Sequence, residues 1–141
     1  MKYPLITSSY LRKVYVPKDY KKNFRRMANK IAKFVKQNKI DAIAFSGTSG
    51  AAYAYPLALK LNLSLICVRK SINGNHYNKY VEGCYNAERY IIVDDFIDTG
   101  ATIRRILKKV KTFSSEAKCS GIFLYNSDGK SSSFEGIKVF K

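Results

Sequence analysis

Negative charge is scarce in this chain. Its 141 residues hold 10 Asp and Glu against 26 Lys and Arg, a formal net charge of +16. Such an excess admits a nucleic-acid partner, a strongly anionic small substrate, or a plainly solvated surface. The cations form no single arm; they spread over residues 18–39, 69–79 and 104–118, which makes charge alone a weak argument for nucleic acid. Cysteine is also scarce: Cys67, Cys84 and Cys119 are odd in number and lack metal-ligand spacing, which excludes a disulfide framework or a zinc site of the usual kind. Cys67 and Cys119 sit in or beside apolar runs and read as small core residues of a protein in a reducing cytoplasm. His76 is the single histidine. No apolar run approaches the roughly 20 residues that span a bilayer. The opening residues, Met1-Lys-Tyr-Pro-Leu-Ile, lack the apolar stretch of a secretory signal, so neither membrane nor secretion is expected. No internal repeat is present, and Ser131-Ser132-Ser133 reads as a turn. With 46% hydrophobic residues, the expectation is one globular domain over residues 1–141.

Periodicity supplies the elements. Residues 10–16 read as a short strand, and Asp19 as the cap of a helix over 20–37, where Phe24, Met27, Ala28, Ile31, Phe34 and Val35 recur at helical spacing. Strands are expected over 41–45, 63–68, 90–93, 120–125 and 134–140, and helices over 51–61 and 102–113, the former accommodating Pro56. Residues 46–50 read as a turn and 69–88 as a long loop or hairpin. Alternating strands and helices imply an α/β fold: a mainly parallel sheet flanked by helices, with ligands beyond the carboxyl ends of the strands.

The densest chemistry lies in Arg89-Tyr-Ile-Ile-Val-Asp-Asp-Phe-Ile-Asp-Thr-Gly-Ala-Thr-Ile103. Tyr90 to Val93 read as a buried strand, which must end where Asp94 and Asp95 begin, because two ionised carboxylates cannot stay in a dry core. Asp98, Thr99, Gly100, Ala101 and Thr102 then lead into an amphipathic helix. Free N–H groups at a helix start, joined by two hydroxyls, form a seat for one phosphate. Acids suited to sugar hydroxyls or a metal-borne ligand therefore lie next to a phosphate seat, and together they suit a phosphorylated sugar. The plain reading of Asp98 is a helix N-cap.

Val93-Asp94-Asp95-Phe96-Ile97-Asp98-Thr99-Gly100-Ala101-Thr102 resembles the phosphoribosyl-pyrophosphate (PRPP) signature of the type I phosphoribosyltransferases, and a weaker resemblance runs from about Asp41 to Leu124. The resemblance implies that fold, with a small or reduced hood over the base, and transfer of ribose 5-phosphate from PRPP to a nucleobase. It implies that Asp94 and Asp95 act in catalysis, holding the ribose hydroxyls or, through water, a Mg²⁺ that arrives with PRPP. Residues Asp98 to Thr102 would hold the 5′-phosphate. An acid at the position of Asp98 is found in the 6-oxopurine enzymes, where it meets N7 of the base, so a purine is the expected acceptor.

The same resemblance assigns Ser46, Gly47, Thr48 and Ser49 to the pyrophosphate loop. Many relatives carry Arg or Lys in that loop and this chain does not, so Arg69 and Lys70 are expected to supply the missing charge. Residues 71–83 would form the mobile loop, in which His76 is a candidate to contact pyrophosphate or assist proton transfer, with a plainer reading as a solvated histidine, and Tyr77, Lys79 and Tyr80 are similar candidates. Asn73-Gly74-Asn75-His76 departs from the orotate pattern. Phe123, Tyr125 or Phe134 for stacking, and Lys130 for an exocyclic oxygen, are base contacts that each have a plainer reading as strand or turn residues. Family resemblance suggests a homodimer. The alternative function is a nucleic-acid-binding regulator that keeps the pocket as a PRPP or nucleotide sensor. A nucleoside monophosphate would satisfy the same phosphate seat.

Overall fold

The computed structural model describes residues 12–71, 79–127 and 130–141. Two helices come first, α1 (Arg12–Tyr15) and α2 (Pro17–Asn38). The strand expected over 10–16 is therefore a helical turn in its described part. Val14 packs against the core, the Lys13 carbonyl accepts the Tyr53 hydroxyl at 2.6 Å and Arg12 reaches Asp19, contacts that hold the run against α2 and α3 and away from the sheet. Pro17 sits at the start of α2, where its fixed φ and missing N–H suit a helix, and Val16 is the extended N-cap. Asp19 is thus no cap; its carboxylate accepts a bond from Arg12 at 3.0 Å.

Then follow β1 (Ala42–Phe45), α3 (Gly47–Leu61), β2 (Ser64–Val68), β3 (Val81–Gly83), β4 (Arg89–Asp94), α4 (Ala101–Phe113), β5 (Lys118–Leu124), β6 (Ser132–Phe134) and β7 (Ile137–Phe140). They build one seven-stranded sheet in the order β3-β2-β1-β4-β5-β7-β6. The five inner strands are parallel, and β3 and β6 close the edges antiparallel. The last expected strand is in fact two, because Glu135 and Gly136, both at positive φ, turn the chain between β6 and β7. Ser132 and Ser133 belong to β6 rather than to a turn.

Side chains alternate across the sheet. Ile43, Phe45, Ile91, Val93, Phe123 and Tyr125 meet Met27, Ile31, Tyr53 and Leu57 of α2 and α3. Ala42, Ala44, Ile66, Tyr90, Ile92 and Ile122 meet Ile103, Ile106 and Val110 of α4 on the other face. This two-sided burial is why the inner strands read as continuous apolar runs. Gly50 lets α3 lie close to the sheet: a Cβ there would be 3.2 Å from Phe45 Cβ and 3.3 Å from the Val93 carbonyl. Cys67, Cys84 and Cys119 are free thiols, and Cys67 and Cys119 pack against the two cores. No helix among the described residues is long and apolar enough to cross a membrane.

Candidate active site

The chain crosses from β1 outward to β2 and returns to place β4 on the other side of β1. The switch point of the sheet therefore lies between β1 and β4, where open α/β sheets leave a crevice for ligands. Here it is a cavity of about 460 Å³, lined by the loops that follow these two strands. Ser46, Gly47, Thr48 and Ser49 form one wall, Asp94 to Thr102 the other, and Lys70 reaches in from the end of β2. Ser46 to Ser49, Lys70, Asp94, Asp95 and Asp98 to Thr102, singled out from sequence, thus share one space.

Both loops end in helix N-termini. Residues 46–50 are not a free turn: Ser46 is the extended N-cap and Gly47, at φ +72°, begins α3. Gly100, at φ +84°, is the N-cap of α4. The first amides of a helix have no partner within it and carry partial positive charge. Two such ends converge here, so the cavity suits two anionic groups, one per helix. Neither N-cap residue, Ser46 or Gly100, spends a side chain on these amides. Thr99 Oγ1 accepts a weak 3.3 Å bond from the Ala101 N–H, and Asp98 stays exposed on the rim instead of capping the helix. Ser46 Oγ is buried, with the residue only 3% exposed, and has no partner among the described residues. A buried hydroxyl without a partner costs free energy unless a ligand supplies one.

Asp94 is 4% exposed, so desolvation pushes its carboxyl up, to about 7, and the adjoining Asp95 charge adds to the effect. The Asp95 amide donates to it at 2.9 Å and the positive field of Arg105 opposes the shift. Asp95 accepts the Phe96 amide at 2.8 Å. Among the described residues no group of three or more His, Cys, Asp or Glu is placed to hold a metal. Two acids on the cavity wall, Asp94 buried and Asp95 half-buried, fit a hydrated Mg²⁺ that brings its own ligand oxygens better than a resident ion.

Sequence reasoning missed the framework that holds the loops. Tyr125 donates its hydroxyl to the Ser49 carbonyl (2.7 Å) and its amide to the Asp94 carbonyl (3.1 Å), tying one loop to the other. The Asn126 amide adds a bond to the Asp95 carbonyl at 2.9 Å. Asn23, buried on α2, donates to the Tyr125 carbonyl at 2.8 Å and to Tyr53 Oη at 3.0 Å. Tyr53 stacks on Tyr125 with ring centres 3.8 Å apart. Behind the second loop, Phe134 packs where a Gly100 side chain would go, 2.6 Å from its ideal Cβ. Arg104 lies over the Phe134 ring, donates to the Thr99 carbonyl at 2.9 Å and pairs with Glu135 at 2.6 Å. The β6–β7 hairpin thus braces the N-terminus of α4. Its signal in the sequence was slight: a polar helix residue and a Phe, separated by 30 positions.

Several expected contacts fall elsewhere. Arg69 does not line the cavity; it borders an adjoining one of about 390 Å³ and is forked on Glu82 at 3.2 and 3.1 Å. Lys70, Gly47 and Thr48 line both spaces. Phe123 and Tyr125 are fully buried in the core and Phe134 is behind Gly100, so none of the three presents a face to a base. Lys130 is exposed and lines neither space. None of the described residues of 12–19 or 130–141 lines the main cavity, and the latter segment extends the sheet instead of covering it. His76 and Tyr77 lie outside the described residues. Phe96, 42% exposed, is the one aromatic among the described residues lining the cavity, and sequence reading gave it no role.

A family model described as PRTase-CE matches residues 5–138. The chain belongs to this family, within the type I phosphoribosyltransferases. A hypoxanthine/guanine phosphoribosyltransferase from Methanosarcina barkeri is 33% identical over 107 residues, covering 64% of this chain and 56% of that protein. An orotate phosphoribosyltransferase from Lactiplantibacillus plantarum is 28% identical over 119 residues, 82% of this chain and 56% of its own length. The crystal structure of an adenine phosphoribosyltransferase from Thermoanaerobacter pseudethanolicus superposes with a TM-score of 0.56 at 26% identity, over 76% of this chain and 69% of that one. This PRTase-CE member therefore spans little more than half the length of the curated relatives it matches.

Proposed function

We propose that the chain transfers ribose 5-phosphate from PRPP to a nitrogenous base and releases pyrophosphate. The observation that carries this reading is the pair of helix N-termini facing one cavity with Asp94 and Asp95 between them. PRPP has the matching layout: a phosphate at one end, a diphosphate at the other and a diol in the middle. The α4 end and Thr99 to Thr102 take the 5′-phosphate. Ser46 to Ser49 and Lys70 take the diphosphate, with the Ser46 hydroxyl supplying a donor. The two acids accept the ribose hydroxyls.

The chemical step forms a bond from a base nitrogen to C1 of the ribose as the C1–oxygen bond breaks. Its electron pair leaves on the diphosphate, which the α3 amides and Lys70 stabilise. Asp98, on the rim, accepts the proton that the base nitrogen loses. A Mg²⁺ bound with the substrate, held through water by Asp94 and Asp95, would neutralise diphosphate charge. Positioning by two rigid helix ends supplies most of the remaining effect. We favour a purine acceptor on the strength of Asp98, and Phe96 as the ring it stacks on. The relatives' names span hypoxanthine, guanine, adenine and orotate, so the base is set by experiment. The chain is incubated with PRPP, Mg²⁺ and single bases while pyrophosphate is measured. Release with a purine, lost in an Asp94→Asn, Asp95→Asn double variant, is expected; binding of PRPP with no release for any base would leave a sensor and not an enzyme.

A further inference from the structure

The charge excess is not explained by the active site, because Lys70 is the sole basic residue among the described residues lining the cavity. Much of the excess lies on α2 instead. Lys18, Lys22, Arg25, Arg26, Lys33 and Lys36 follow one another at intervals of one, three, four or seven residues, which places them on one face. That face is opposite Met27, Ile31 and Phe34, which pack into the core. All six are exposed. Over 22 residues the helix is about 33 Å long.

The stripe is poorly neutralised. Asp19 is the one acid on α2, and it is paired with Arg12. Among the described residues none of the six cations has an ion-pair partner. Lys60 of α3 borders the same small groove as Lys21 and Arg25, which widens the stripe along one side. The other basic helix, α4, lies on the opposite face of the sheet; there Arg104 is held by Glu135, and Lys109 lies over Tyr80 at 3.8 Å.

A row of unpaired like charges repels itself, and what relieves it is a polyanion with charges repeating along its length. Nucleic acid carries a phosphate about every 3.4 Å of axis per strand. A membrane fits less well: interfacial helices bury an apolar face in lipid, and the apolar face of α2 is already in the core. We infer that the exposed face of α2 binds the phosphate backbone of a nucleic acid, without reading its bases. This inference is independent of the proposed enzymatic activity.

The test is fluorescence anisotropy with a labelled DNA duplex of about 20 base pairs and an RNA strand of about the same length, between about 50 and 200 mM salt. Binding of at least one probe is expected, with affinity falling steeply as salt rises. The triple variant Lys22→Gln, Arg25→Gln, Lys33→Gln should flatten the logarithmic salt slope by roughly 2 to 3, since each lost phosphate contact removes about 0.7 to 0.9. A control triple on the other side and strand ends, Lys108→Gln, Lys111→Gln, Lys118→Gln, carries the same net charge and should change the slope by less than about 1. Both sets are exposed, and a thermal melt confirms that each variant folds. Equal effects of the two triples would reduce the binding to net charge alone and overturn the inference. So would binding to phosphatidylserine vesicles with no binding to either nucleic acid.

Discussion

Replacing Asp94 by Asn should make the protein more stable and less active. The carboxyl sits at the end of a buried strand, with its neighbour Asp95 adding repulsion, and is pushed from the ordinary 3.8 to about 7. Holding it ionised at neutral pH then costs the fold up to about 4 kcal/mol, and roughly 2 to 4 kcal/mol after allowance for water at the cavity mouth. Asn keeps the shape, and its side-chain oxygen still accepts the Asp95 amide. The sign follows from proton counts. Below pH 3.8 both folded and unfolded chains hold the proton and the two proteins differ little. Between 3.8 and about 7 the folded chain holds more protons than the unfolded one, so wild-type stability falls as pH rises. The advantage of the variant therefore grows over that window and is complete above it. For a chain of this size it corresponds to a rise in Tm of roughly 6 to 14 °C at pH 8, shrinking towards zero near pH 4. Differential scanning calorimetry at a series of pH values measures it. A pH-independent difference, or a variant less stable at pH 8, would refute the reasoning, because it would mean that Asp94 is already compensated in the unliganded fold.

Gly100→Ala should lose roughly 2 to 4 kcal/mol of stability, because Ala pays for a left-handed φ and its methyl group meets the Phe134 ring. Urea titration checks this, and adding Phe134→Ala should recover the clash but not the backbone strain. Tyr125→Phe keeps the stack on Tyr53 and leaves the Ser49 carbonyl without that donor. The expected loss is about 1 to 2 kcal/mol, with a weaker grip on pyrophosphate measured by calorimetry and the ribose 5-phosphate grip nearly unchanged. Burial pushes the Cys119 thiol up to about 12, so at pH 8 a thiol reagent should label it more slowly than Cys84.

The parts of the fold that were legible in the sequence are those where one local rule decides. Tyr90 to Val93, buried on both faces, announced a strand, and the paired acids announced its end. The helix after Thr99-Gly100-Ala101 was legible because apolar spacing and small turn residues coincide. Failures came where a partner far along the chain decides. Residues 12–15 include Val14 and Tyr15, which favour strands, but Val14 packs on the core, the Lys13 carbonyl takes the Tyr53 hydroxyl and Arg12 pairs with Asp19, so the run is a helical turn. Ser46 to Gly50 looks like a turn because Gly, Ser and Thr dominate it, yet Gly47 opens a helix whose end faces the ligand space. Arg69 stands beside Lys70 in sequence, but Glu82 on the next strand draws its guanidinium away. The bracing of the α4 N-terminus by Phe134, Arg104 and Glu135, and the link from Asn23 through Tyr125 to both loops, depend on which strands end up adjacent. No spacing rule within one element encodes those neighbours.

The central claim is that one cavity holds two separate anion seats joined by a pair of acids. Calorimetric titration of ribose 5-phosphate and of pyrophosphate, each alone, both together and then against PRPP with Mg²⁺, tests it most directly. The two small ligands should bind side by side, and PRPP should displace both. Mutual exclusion of the two, or PRPP that displaces neither, would contradict it.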